Sequence, residues 1–163
     1  MRTLLPATAA DHATISALAH RIWPPTFADI LSAAQIDYML DMMYAPAAIA
    51  EQVKKEHIFL LLCQNSEAIG YVSYQLNYLP DTTKIHKLYL LPKQHGQGLG
   101  RYMIEAVAER ARQVGQTCLR LDVNYENPAV GLYEHLGFTK IDRVDTEIGN
   151  GYLMEDWVME RAL

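Results

Sequence analysis

The spacing of apolar positions divides the chain into three stretches with different periods. Between residues 8 and 55 the apolar side chains recur three and four apart, as on one face of a helix. Thr8-Ala9-Ala10-Asp11 reads as a capping box, and Ile15, Leu18, Ala19 and Ile22 follow it. Pro24-Pro25 is expected to stop that first helix. Ser32 with Gln35 opens a second, whose apolar face is Ile36, Met39, Leu40 and Met43. Pro46 suits the first residue of a short third helix reaching to about residue 55. A strand precedes all three near residues 2–5.

From residue 58 the pattern becomes strand-like. Residues 58–63 form a continuous apolar run, residues 65–67 a turn, and residues 69–76 the second arm of a hairpin. Pro80-Asp81 leads into a third strand over residues 85–91. The remainder alternates. Residues 99–114 predict an amphipathic helix closed by Gly115, with Leu99, Met103, Ala106, Val107 and Val114 on one face. Residues 117–123 predict a strand, with Leu119, Leu121 and Val123 on one side. Asn127 is a suitable N-cap, Pro128 fits the first helical position, and Gly137 ends that short helix. Residues 138–144 and 152–160 complete the strands. Helices, antiparallel strands, then alternating strands and helices predict an α/β fold: a mixed sheet of about seven strands with helices on both faces.

Composition narrows the class. The chain has 163 residues, half of them apolar and 20% charged, which suits one globular domain over residues 1–163. No apolar run is long enough to span a bilayer, and residues 1–6 lack the stretch of a signal peptide. A net charge of −5 argues against nucleic acid as a partner. Cys63 and Cys118 sit in apolar strand runs, which predicts buried thiols in a cytoplasmic protein. No metal-ligand motif is present.

The chemistry concentrates in residues 85–101. A strand ends at Pro92, and a loop with Gly96, Gly98 and Gly100 runs straight into a helix. Glycines admit close backbone approach, and free N–H groups at a helix start attract anions. A phosphate or pyrophosphate site at residues 96–101 follows, against the alternative of a tight turn with no ligand. The triphosphate-loop sequence GxxxxGK is absent. The dinucleotide loop GxGxxG begins correctly at Gly96-Gln97-Gly98 but meets Arg101 at its last glycine, even though Asp122 stands where a ribose-binding acid would.

His95-Gly96-Gln97-Gly98-Leu99-Gly100 resembles motif A of the GNAT superfamily of N-acetyltransferases, with His95 where Gln or Arg is usual. Residues 127–138, with Asn127, Leu132-Tyr133 and Gly137-Phe138, resemble motif B. The Met-rich second helix and the ending from Gly149 to Met159 resemble the PaiA-type polyamine acetyltransferases. The resemblance implies a single GNAT fold that uses acetyl-CoA as co-substrate. It implies that the backbone of Leu88, Tyr89 and Leu90 pairs with the pantetheine arm. It also implies that His95, Gly96, Gln97, Gly98, Leu99, Gly100 and Arg101 hold the pyrophosphate, with Lys93 near its charge, and that Asn127 bonds the arm.

Tyr133 is the implied acid for the departing thiolate, since a phenol stays protonated at neutral pH. His86, on the strand beside the thioester, is a candidate base for the acceptor ammonium, with Glu126 and a water relay as others. The acceptor site implied by the fold lies between the first two helices, the hairpin and the last strand. Trp23, Phe27, Tyr38, Met42, Tyr44, Tyr74 and Trp157 are available to line it, and Asp37, Asp41, Glu155 and Asp156 to supply carboxylates. The expected reaction is direct attack of a primary amine, a small cationic molecule, on the acetyl group in a ternary complex. A protein N-terminus or lysine as acceptor, and a non-catalytic acyl-CoA sensor, are the alternatives. A homodimer is a family expectation only.

Overall fold

A computed structural model describes residues 1–163. Seven strands form one sheet: β1 (Arg2–Pro6), β2 (Ile58–Gln64), β3 (Glu67–Leu79), β4 (Thr82–Leu90), β5 (Cys118–Asn124), β6 (Thr139–Gly149) and β7 (Tyr152–Ala162). Their order is β1-β2-β3-β4-β5-β7-β6, and only the β4–β5 pair is parallel. The helices are α1 (His12–Phe27), α2 (Ala33–Tyr44), α3 (Pro46–Lys54), α4 (Leu99–Gln113) and α5 (Ala129–His135).

The helix starts follow their caps. Asp11 accepts from both the backbone N–H and the hydroxyl of Thr8, closing a single 3-10 turn before α1. Ser32 Oγ accepts from Gln35 N at the start of α2. The Gln35 side chain does not reach back to its own cap. It donates to the carbonyl of Leu153 at 2.8 Å and so ties α2 to β7.

The two prolines do not end α1. Pro24 and Pro25 lie inside it, and the helix continues to Phe27. Their rings remove two donors, yet Trp23 and Phe27 in the last turn are buried. Trp23 packs against Tyr89 of β4 at 5.6 Å and Tyr44 of α2 at 5.7 Å. That burial outweighs the lost ladder bonds.

Strand parity assigns the two faces. Tyr71 and Tyr74 lie three apart on β3 and so point to opposite sides. Tyr71 shares its side with Tyr89 in register, and its hydroxyl donates to that of Tyr44 at 2.7 Å, under the α1–α2 layer. On the other side, Arg161 of β7 makes a two-pronged ion pair with Glu105 of α4, at 2.8 and 3.2 Å. Leu119, Leu121 and Val123 of β5 are buried.

Three strands run longer than the sequence pattern suggests: β3 extends to Leu79, β6 to Gly149 and β7 to Ala162. Nearly every residue of β6 is exposed, so no buried face marks it in the sequence. Cys63 and Cys118 are both free thiols but only half-buried, since β2 and β5 place them near strand ends. No helix is long and apolar enough to cross a membrane.

Candidate active site

The parallel β4–β5 ladder runs only from Thr82↔Cys118 to Ile85↔Leu121. Beyond it β5 stays with β7, through Val123↔Trp157 and Asn124↔Asp156, while β4 stays with β3 through Lys87, Leu88, Tyr89 and Leu90. The strands therefore diverge. His86 sits at a register shift between Ser73↔Lys87 and Tyr74↔Ile85, and such an extra residue bends a strand. The far edge of residues 86–90 has no neighbouring strand, so its polar backbone groups open into the gap.

A cavity of about 790 Å³ fills this gap. Among its lining residues are Leu88, Tyr89, Leu90, His95, Gly96, Gly98, Leu99, Gly100, Arg101, Asn127 and Tyr133. At one end lies the glycine loop. Gly96 and Gly98 have φ of +80° and +74°, in the left-handed region, and a Cβ at either would meet nothing within 4 Å. Their glycines thus serve backbone conformation, on a loop open to a ligand. No backbone carbonyl accepts from the N–H groups of residues 96–101, and Tyr102 N is the first to bond back, to Gly98 O. A run of free amides at the start of the 15-residue α4 is a cradle for phosphate oxygens. Arg101 and His95 add cationic or donating side chains beside it.

Two residues, one just before α5 and one within it, face the same gap. Asn127 Oδ1 accepts from Ala129 N at 2.9 Å, which caps the helix and leaves the side-chain amide free to donate. Tyr133 is 7% exposed and packs edge-on against Phe138 at 5.9 Å. Burial pushes its hydroxyl up to about 12, so it keeps its proton at any physiological pH.

The other end of the cavity is walled by Trp23, Phe27, Met39, Met43 and Tyr44 from α1 and α2. Its polar groups come from three strands. Asp156 of β7 is buried, 9% exposed. Burial first, and Asp122 second, raise its carboxyl to about 6, against the opposing pull of Lys84 and Arg143. Lys84 Nζ of β4 donates to Asp122 Oδ2 of β5 at 2.9 Å, bridging the strands where they part. His86 Nε2 lies 3.0 Å from Gln75 Oε1, so that nitrogen carries the proton and donates to the amide oxygen. The His86 ring stacks on His57 at 4.0 Å. Burial, then His57 and the two lysines, lower His86 to about 2.

The sequence-derived residues divide cleanly. The backbone strand, the glycine loop, Asn127, Tyr133 and His86 come together around one cavity. The Gln97 side chain turns away toward Gln94, and Lys93 is exposed and outside the lining. Of the expected acceptor wall, Trp23, Phe27 and Tyr44 take part. Tyr38 instead donates to Ile148 O, Met42 is exposed, Tyr74 lies on the opposite side of the sheet, and Trp157 packs under Lys140 and Arg143. Of the four acids only Asp156 lines the cavity. The strand β7 alternates, and its parity turns Asp156 inward and Glu155 away. Lys87, Gln35 and the Lys84–Asp122 bridge were not singled out for this wall. In the sequence only Lys84 and Lys87, on either side of Ile85-His86 in β4, mark part of it.

Residues 15–138 match the model of the acetyltransferase (GNAT) family. Among similar proteins, an uncharacterized N-acetyltransferase, YjgM of Escherichia coli, is 36% identical over 63 residues, 38% of each chain. The [ribosomal protein bS18]-alanine N-acetyltransferase of Haemophilus influenzae is 27% identical over 54% of this chain and 59% of its own. The alignments thus span only about half of these relatives, or less. In structure the chain resembles the PaiA N-acetyltransferase of Thermoplasma acidophilum, solved with coenzyme A. The TM-score is 0.85 at 20% identity, covering 100% of this chain and 99% of that one. A GCN5-related N-acetyltransferase from Rhodopseudomonas palustris gives 0.84 at 23% identity, covering 100% and 96%. With the family match spanning most of the sequence and the split sheet, glycine loop and cavity in place, the chain belongs to the GNAT family of N-acetyltransferases, enzymes that draw their acetyl group from acetyl-CoA.

Proposed function

We propose that this chain transfers the acetyl group of acetyl-CoA to the primary amine of a small, positively charged acceptor, by direct attack with both substrates bound. The observation that carries the reading is the one cavity shared by the free amides of residues 96–101, the unpaired edge of β4, Tyr133 and Asp156. Its two ends differ in chemistry, as two substrates require. The loop end suits the pyrophosphate, with Arg101 and His95 beside it, and the edge of β4 together with the Asn127 amide suits the pantetheine arm.

Each side chain has a task. Asp156 takes one proton from the acceptor ammonium, which is otherwise held by a pKa near 10. A carboxylate placed at about 6 is ionised at neutral pH yet basic enough to share that proton. We prefer Asp156 to His86, whose protonated nitrogen is committed to Gln75 and whose other nitrogen is a weak base. The N–H groups on the free edge of β4 near Leu90 receive the charge that develops on the acyl oxygen. Tyr133 gives its hydroxyl proton to the leaving sulfur and regains one from the product nitrogen. One N–C bond forms, one C–S bond breaks, and one net proton leaves through Asp156 to solvent.

The half-buried free thiols support a reducing compartment such as the cytoplasm, and the uncovered edge of β6 supports self-association into a dimer. Tyr133→Phe tests the central role. It is expected to lower acceptor-dependent transfer by about 10²–10⁴-fold while acetyl-CoA still binds. Unchanged turnover would remove Tyr133 from the reaction.

A further inference from the structure

Lys87 has no counter-charge. Its side chain leaves β4 on the side of its register partner Ser73, lines the acceptor end of the cavity and is only 8% exposed. Its ammonium makes one hydrogen bond, to Gln52 Oε1 at 2.8 Å, and sits 5.7 Å from the rings of both Tyr44 and Phe59. The five ion pairs of the protein involve Lys84, Arg112, Arg120, Arg143 and Arg161, but not Lys87. An ammonium has three donors, so two of them lack a partner. The groups behind it offer no anion. Ser73 Oγ and His57 Nδ1 are buried without partners of their own, and His57 and His86 are neutral rings that carry no negative charge.

Removing an ammonium from water without an anion beside it is costly, and proteins rarely tolerate it unless something else supplies the charge. The desolvation is already felt, since burial and then Lys84 lower Lys87 to about 8. The opposite side of the same cavity carries the reverse sign. Asp156 is buried there, with Asp122 next to it. The Lys84–Asp122 pair stands between the two poles. The acceptor end is therefore a dipolar wall, cationic along β4 and anionic along β5 and β7.

We propose that the acceptor is a zwitterion of the amino-acid type, its amine received by Asp156 and its carboxylate held by Lys87. This rests on the acetyltransferase reading above, keeps its primary amine and adds a carboxylate to the acceptor. A carboxylate at Lys87 would fill both idle donors and neutralise the buried charge, and the aromatic rings of Tyr44 and Phe59 would screen the pair from water. A linear polyamine fits this wall poorly, because its second ammonium would meet the like charges of Lys87 and Lys84.

The test uses matched acceptors that differ only in the carboxylate: L-lysine against cadaverine, L-ornithine against putrescine, and L-methionine against 3-(methylthio)propylamine. The wild-type protein is expected to favour the amino acid by at least about tenfold in kcat/KM for the pair it accepts, about 1.4 kcal/mol. In Lys87→Met that ratio is expected to fall to near one, through KM of the amino acid. Lys87→Arg, which keeps the charge, is expected to retain most of it. Equal or better use of the decarboxylated amines by the wild type overturns the proposal. So does turnover of neither member of any pair, or a loss in Lys87→Met that is equal for both members, which would place Lys87 at the acetyl group. If Lys87→Met fails to fold, the wild-type ratios and Lys87→Arg decide the matter alone. Failure of the wild type to bind acetyl-CoA would instead defeat the acetyltransferase reading beneath.

Discussion

At single positions stability and function are opposed at Asp156 and aligned at Gly98. A carboxyl raised to about 6 from its ordinary 3.8 binds its proton more tightly folded than unfolded. The stabilisation it lends is full below about 4 and is lost as pH rises through about 6. At pH 8 the ionised group therefore weighs against folding. Asp156→Asn is expected to melt above the wild type at pH 8, to lose that advantage at pH 5, and to lose acetyl transfer at both; paired thermal melts check the sign. The groups that face Asp156, namely Asp122, Lys84, Arg143 and Asp145, are unchanged in the variant and set a common background. At Gly98, with φ +74°, an alanine has room for its Cβ but not the backbone. Gly98→Ala is expected to cost about 1–2 kcal/mol of stability and to weaken acetyl-CoA binding, measured by calorimetry at a temperature where the variant is folded.

Among elements, the divergence of β4 from β5 decides the most. One register shift at His86 separates a shared ladder from an open gap, and both substrates are read into that gap. The acceptor wall depends on a second element contact, the bond from Gln35 of α2 to Leu153 of β7. Gln35→Ala is expected to raise KM for the acceptor several-fold with little change in acetyl-CoA affinity, since the loop and α4 lie at the other end of the cavity. A parallel rise in the acetyl-CoA dissociation constant would show that Gln35 holds the whole fold.

The elements also show what the sequence could and could not reveal. The glycine loop, α4 and α5 were legible because turn glycines, a cap and an amphipathic stripe all signal locally. The extent of β6 was not, because an uncovered ribbon has no apolar period. Pro24-Pro25 signalled an end that distant packing by Trp23 and Phe27 overrode. The candidate base illustrates the same limit: His86 reads as a neutral-range titrator in isolation, and its burial and stacking on His57, brought in from the connection between α3 and β2, depend on the folded chain. Asp156 is one of four acids that the sequence offers for the acceptor site, and only the register of β7 on β5 turns it inward.

At the scale of the whole molecule, the cavity joins elements from both halves of the chain, α1 and α2 with β4, α4, β5, α5 and β7. A ligand that spans it should couple to global stability. Acetyl-CoA at about 100 times its dissociation constant adds about 2.7 kcal/mol, which for a chain of this size raises Tm by about 5–10 °C. A thermal scan with and without acetyl-CoA measures this, and no shift would mean that the amides of residues 96–101 hold no cofactor. The most direct test of the account is the release of coenzyme A thiol from acetyl-CoA, with and without a primary amine, alongside detection of the acetylated product. Thiol release is expected to require the amine and to match the product one for one. Tight binding of acetyl-CoA with no amine able to draw thiol from it would contradict it.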